Sequence, residues 1–468
     1  MSLNPRLLSR NDIPMDTTST MWLAATFLVA ACSLAACAEP PPPVVESDFF
    51  LGGIQVNEPD LDAWLDALAV EGMNTVAVTA YAKHGDWDTD NLWWSDDDFE
   101  SLLPEVRAAH ARGMKVVLVL RVALDHAFER NRFLWHGMIM PRTDAQLDEW
   151  FRRYGELVTR WAEIAEREGV DVLMIGSEMN ALASTVELAE LPSLEEYFLD
   201  ETKQEERREQ LLGYEGEIEE RHLWLRGREH YPDLAEYLEA RMASEEGWAA
   251  QVTEGGPEAL ARVNERRRRL ERKWVEVIGA AREVYHGKLG YAANFDQYQM
   301  VSFWGELDLM GINAYFPLRR ELLTDAGPDE LYATLVEGWS RVLGEIRDFR
   351  AGQGLTGRNV MFTELGYTWR ANCTIEPWAD TGFSVLPVGE GEKLVVWQDQ
   401  EPDPRERALA VRALHEAHRR LAEAMLAGIL YWKLSTVEEH REIEAFVLHV
   451  GGPSGDPLAA ELRRFTGS

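Results

Sequence analysis

Cysteine is almost missing from the 468-residue chain: Cys32, Cys37 and Cys373 are the only three. A disulfide-stapled fold is excluded, because two of them sit in an N-terminal leader and the remaining thiol has no partner in the folded body. Cys373 has no histidine near it in sequence and reads as an inert thiol. Basic charge is scarce too, with 47 Lys and Arg against 81 Asp and Glu and a net charge of −34. That balance repels phosphate backbones and anionic surfaces, which excludes nucleic acid as a partner and otherwise serves solubility. There is no His-Glu-x-x-His helix, no Cys-x-x-Cys pair, no Walker loop and no Gly-x-Ser-x-Gly elbow. Metallohydrolase, NTPase and serine-hydrolase chemistries therefore lack a starting residue. His84, His126 and His136 are too dispersed to read as a metal set, and neither a metal nor an organic cofactor is expected.

Long apolar runs are equally few. One, residues 21–36, is too short to span a bilayer comfortably and ends in small residues, as an export signal does. It closes on Leu34-Ala35-Ala36-Cys37, which resembles a bacterial lipobox and makes Cys37 the expected site of lipidation; an ordinary secretory signal is the alternative. Four prolines at 40–43 favour an extended polyproline spacer. The expected organisation is a lipoprotein-type signal at 1–37, a Pro-rich tether at 38–48 and a folded body at 49–468. The body would be extracytoplasmic and lipid-anchored or secreted, touching the membrane through the anchor alone.

The body is rich in apolar residues, with 17 Trp and 13 Tyr, enough to fill a core and still line a cleft with rings. Short β-branched runs at 53–56, 74–81, 115–122, 171–178, 289–294, 307–315, 359–364 and 428–433 alternate with amphipathic stretches such as 61–71, 144–168 and 404–426. Helices are expected after the first seven of these strands. Eight such repeats predict an α/β fold of the (β/α)8 TIM-barrel type. An open doubly wound sheet would carry a glycine-rich turn after its first strand, where this chain has Asn57-Glu58-Pro59. Between about 184 and 270 the sequence turns strongly charged, and it reads as a helical insertion after the fourth strand, with Arg266 to Arg269 balanced by Glu265 and Glu271. Gly255-Gly256-Pro257 marks a break inside it.

Barrel enzymes draw their chemistry from the C-terminal ends of strands. Two glutamates end otherwise apolar strands: Glu178 the fourth, in Ile175-Gly176-Ser177-Glu178, and Glu364 the seventh, in Phe362-Thr363-Glu364-Leu365-Gly366-Tyr367. Strands four and seven face each other across a barrel mouth, and paired carboxyls about 5–5.5 Å apart are what double displacement at an anomeric carbon requires. Glu178 is expected to be the acid/base, its pKa raised toward neutrality by burial and repulsion, and Glu364 the nucleophile, with Tyr315 donating to it. Trp135, Asn180, Asn294, Asp296, Asn313, Tyr367 and Trp432 offer the mixture of rings, amides and carboxylate that sugar rings need, and with Tyr315 they are the candidate substrate contacts.

These motifs, with 287–296, Phe303-Trp304 and Tyr315-Phe316-Pro317-Leu318, resemble glycoside hydrolase family 113 within clan A. The resemblance implies a retaining β-mannanase that cleaves β-1,4-linked mannan or manno-oligosaccharides without a cofactor. Two features depart from the pattern: Ser177 stands where many clan A enzymes have an Asn, and the charged stretch after Asn180 is long. Another β-glycan as substrate, or a non-catalytic carbohydrate-binding lipoprotein, stays open at this point.

Overall fold

Runs of aliphatic and β-branched residues form β1 (Phe50–Gln55), β2 (Thr75–His84), β3 (Lys115–Leu124), β4 (Val172–Ser177), β5 (Lys288–Asn294), β6 (Leu309–Asn313), β7 (Asn359–Leu365) and β8 (Leu426–Ser435). Each pairs in parallel with the next, and β8 pairs with β1, so the sheet closes into an eight-stranded ring. Closure leaves no free edge. The computed structural model describes residues 41–187, 230–253, 258–320, 323, 327–378, 383–387, 393–397, 401–421, 423–452 and 456–467. The leader, Cys37, the start of the tether and residues 188–229 and 254–257 lie outside the described residues.

All eight expected strands are present, each within a few residues of its sequence bounds. The ring is plugged by Ile54, Val117, Val119, Val172, Met174, Leu309, Met361 and Leu430, with Trp432 packed on top of them. Outside it lie α1 (Leu61–Val70), α2 (Leu103–Ala111), α3 (Asp144–Glu168), α4 (Leu234–Thr253), α5 (Ala259–Val284), α6 (Pro328–Gly352) and α7 (Pro404–Arg420). α3 begins at a reciprocal cap between Thr143 and Gln146 and stops at Gly169, whose φ of 72° suits a residue without Cβ.

Two expectations need correction. No α-helix follows β5: the chain crosses to β6 through two short 3-10 turns, Tyr298–Met300 and Phe303–Glu306. Phe303 and Trp304 fill the space a helix would occupy, buried to 2% and 1% exposure, with the Trp304 indole N–H donating to the Tyr298 carbonyl at 2.8 Å. The insertion is also shorter than its composition suggested, because α5 is the helix that belongs to β4. Leu270, Trp274, Ile278 and Ala281 bury against the barrel layer. The arginine run at its start is paired across elements: Arg269 with Asp144 and Asp148 of α3, Arg268 with Glu187, and the buried Arg267 with the Val186 carbonyl. Cys373 is buried, and burial pushes its thiol well up, in keeping with an inert group.

Candidate active site

Glu178 follows β4 through a tight local arrangement. A Cβ on Gly176 would stand 2.9 Å from the Tyr291 ring, so glycine is what lets Tyr291 press against the strand. From there the Tyr291 hydroxyl accepts the Met179 N–H at 2.9 Å, while the Glu178 N–H donates to the Ala292 carbonyl at 2.9 Å. Held from both sides, Glu178 adopts φ 52°, a left-handed conformation that costs a residue with Cβ about 1–3 kcal/mol and is concentrated at working sites. Behind this strand Trp274 stacks on Phe303 at 5.0 Å and meets the Tyr291 ring edge-on at 5.3 Å. The residue is 8% exposed, and its carboxylate takes the His136 imidazole at 3.1 Å on Oε2.

Glu364 is buried at 3% exposure near the end of β7. Its Oε1 receives the Arg121 guanidinium from β3, and its Oε2 receives the Tyr315 hydroxyl at 2.8 Å. Arg121 also donates to Ser177 Oγ at 3.1 Å, and the Asn313 amide lies 3.3 Å from that same oxygen. Thr363 in turn donates to the Asn313 carbonyl oxygen at 2.7 Å. Arg121 and Asn313 thus connect the strand of one glutamate to the strand of the other.

The electrostatics correct one expectation. Burial does oppose ionisation of Glu178, but the His136 hydrogen bond, the Arg121 and His136 charges and the Asn313 amide outweigh it and hold the carboxyl at about 2. It is pulled down, not raised toward neutrality.

A family model for Glycoside Hydrolase Family 113 matches residues 55–187 and 230–384. The chain belongs to this family. Solved family 113 structures share its fold: the β-mannanase AaManA from Alicyclobacillus acidocaldarius superposes with a TM-score of 0.52 at 15% identity, over 91% of this chain and 97% of its own. A second structure, of a GH113 β-1,4-mannanase, gives 0.52 at 16% identity over 91% and 99%. No curated protein sequence matches the chain closely enough to count as a relative. This family 113 chain is accordingly a (β/α)8 glycoside hydrolase, and its substrate is an oligosaccharide or polysaccharide.

Within this glycoside hydrolase the other residues singled out from sequence fall into three groups. Tyr315, Asn313 and Trp432 surround the glutamates, Trp432 with its ring 5.0 Å from the Arg121 guanidinium. Trp135 packs edge-on against His136 at 5.1 Å. Asn180 is buried at 2% exposure with both side-chain polar atoms unpartnered, while Asn294 ends β5 and spends its Oδ1 on the Phe295 N–H at 2.9 Å. Asp296 is exposed just beyond it. Tyr367 is enclosed in the core, its hydroxyl unpartnered and pushed well up by burial among Cys373, Tyr431 and Glu406. His84 and His126 spend a ring nitrogen on the Gly85 and Leu134 carbonyls. Sequence reasoning missed Arg121 and undervalued His136. The available signal for Arg121 was a lone cation inside the apolar run of β3; His136 had none, because its partner lies 42 residues away.

Proposed function

We propose that this enzyme hydrolyses β-1,4-linked mannan or manno-oligosaccharides with retention, Glu364 acting as nucleophile and Glu178 as acid/base. The observation that carries this reading is the pair of buried strand-end carboxylates placed in unlike surroundings. Glu364 is gripped on both oxygens by Arg121 and Tyr315, which keeps it charged and aimed, as attack on an anomeric carbon requires. Glu178 has an imidazole on one oxygen, a partner that can both donate and accept a proton. In the first step Glu364 forms an ester with the anomeric carbon while a proton passes through Glu178 to the departing oxygen. In the second, Glu178 takes a proton from water, which attacks the ester and frees Glu364. Trp432 and Trp135 supply ring faces for the sugar, and the unpartnered Asn180 amide is available to a hydroxyl.

The test is release of reducing ends from β-1,4-mannan, xylan and β-glucan by the full chain, with Glu364→Ala as control and the anomer of the first product read by NMR. Mannan cleaved to the β-anomer, with Glu364→Ala slower by on the order of 10⁴-fold or more, is the expected result. Release from xylan or glucan alone would discard the mannan assignment, and an inverted product would discard the nucleophile. For location, we propose lipid attachment at Cys37, supported by the 34–37 motif and the prolines that follow; Cys37→Ala should abolish lipid labelling.

A further inference from the structure

An acid/base carboxyl that rests ionised leaves the proton for the departing oxygen to be held elsewhere. Around Glu178, β3 contributes Arg121, β4 Ser177, β5 Tyr291 with Asp296 just beyond it, and β6 Asn313 with Tyr315 just beyond it, while Glu364 of β7 reaches the same Arg121. Arg121 is a fixed cation, and burial pushes Tyr291 and Tyr315 upward, so neither tyrosine supplies a proton near neutrality. Asp296 is a carboxyl pushed up to about 6 by desolvation, but it makes no hydrogen bond to Glu178. Among the described residues, His136 Nε2, 3.1 Å from Glu178 Oε2, is the side chain hydrogen-bonded to that carboxylate that can carry and release a proton.

We propose that His136 is the positioning residue that stores the acid proton for Glu178, and that helix α4, from the charged stretch after β4, holds it there through Trp248. The proposal rests on Glu178 being the acid/base. His136 opens a single 3-10 turn, His136–Met138, in the loop after β3. A Cβ on Gly137 would fall 2.2 Å from the Trp135 ring, so the turn closes tightly under that indole, which meets the imidazole edge-on. At the far end of the turn the Met138 carbonyl accepts the Trp248 indole N–H at 2.8 Å, and Trp248 is fully buried. The same loop is tied twice more to this stretch, by Arg132 donating to the Tyr231 hydroxyl at 3.0 Å and by Phe133 edge-on to Tyr237 at 5.4 Å. On the barrel side Asn131 donates to the Gly85 and Asp125 carbonyls at 2.7 and 2.8 Å. The loop is clamped from two directions, and the group it presents is the imidazole.

The proton balance closes over the two steps. In the first, the His136 Nε2–H proton passes to Glu178 Oε2 as Glu178 hands one to the leaving oxygen, ending with a neutral imidazole and an ionised carboxylate. In the second, the proton of the attacking water returns through Glu178 to His136.

The first experiment needs no substrate: the imidazole titration of His136 is followed by long-range ¹H–¹⁵N NMR in the wild type and in Glu178→Gln. Because the two groups share one proton, neutralising the carboxylate should move the imidazole midpoint to lower pH in the variant. An unchanged midpoint overturns the pairing, whether or not any glycan is cleaved, which keeps this result separate from the substrate assignment. The second compares His136→Gln with wild type on a natural oligosaccharide and on an aryl glycoside whose leaving group needs no proton. The alkaline limb of kcat/KM should move about one unit to lower pH on the natural substrate, with a loss at least tenfold larger there than on the aryl glycoside. Equal losses on both substrates, with the limb in place, would assign His136 a merely structural role. Trp248→Phe keeps an aromatic ring and removes the N–H, and it should move the same limb part-way; a limb that does not move would remove α4 from the proposal.

Discussion

The two glutamates at the barrel mouth are the same residue at matching strand ends, yet they are held by opposite means. Glu364 is fixed by charge and hydroxyl: Arg121 grips one oxygen and Tyr315 the other. Glu178 has its backbone fixed by Ala292 and Tyr291 in a left-handed φ, and its carboxylate takes the His136 imidazole and the Asn313 amide, with the Arg121 charge nearby but spent on Glu364. The difference teaches that role is assigned by surroundings. The proposed roles rest on that difference: two fixed donors suit a nucleophile that stays charged, and an imidazole partner suits a carboxyl that passes protons.

Removing the grip on Glu364 should have the largest effect. Arg121→Met strands a buried carboxylate, and breaking a buried ion pair from one side costs about 3–5 kcal/mol. Urea unfolding should show that loss; a variant as stable as wild type would mean that the pair does not hold this side of the mouth. Next comes an acid titration on the other side. The folded Glu178 carboxyl lies at about 2, below its ordinary 4.5, so its ionisation contributes stability that is fully present above about 4.5 and lost as pH falls toward 2. The stability advantage of wild type over Glu178→Gln should shrink across that window by on the order of 3 kcal/mol, and a pH-independent difference would remove the depressed carboxyl from the comparison. The mildest probe is Tyr315→Phe, which deletes one hydrogen bond to a charged oxygen. At about 1.5–3 kcal/mol this should lower folding stability by less than Arg121→Met does in the same urea series, and an equal or larger loss would mean that the hydroxyl, not the guanidinium, is the main grip.

Much of this architecture could be read in advance, and what escaped has physical causes. The eight strands were legible because a closed parallel sheet is apolar on both faces and each strand stands out as a β-branched run. The strand-end placement of Glu178 and Glu364 was legible because a carboxylate ending such a run contradicts its surroundings, and Tyr315 was found where it was expected, on Glu364. Arg121 contradicts its strand in the same way and went unread, since its partner comes from four strands further round the ring. The depressed Glu178 carboxyl was not visible because its sign depends on the His136 contact, which outweighs burial and which no local pattern encodes. The absent helix after β5 reflects tertiary override, with Phe303 and Trp304 sealing the barrel in place of a helix.

α5 bears on how such a chain could be shortened. A cut that followed the charged composition, from about 184 to 270, would take away the first turns of a barrel stave together with Arg267, Arg269 and Leu270, and so open the ring beside β4. A cut that stopped short of Ala259 would spare the stave and still take Trp248 from beneath Met138. Residues 230–270 are thus tied both to the loop after β3 and to the stave beside β4, and a cut that took α4 would have to redesign that loop at the same time.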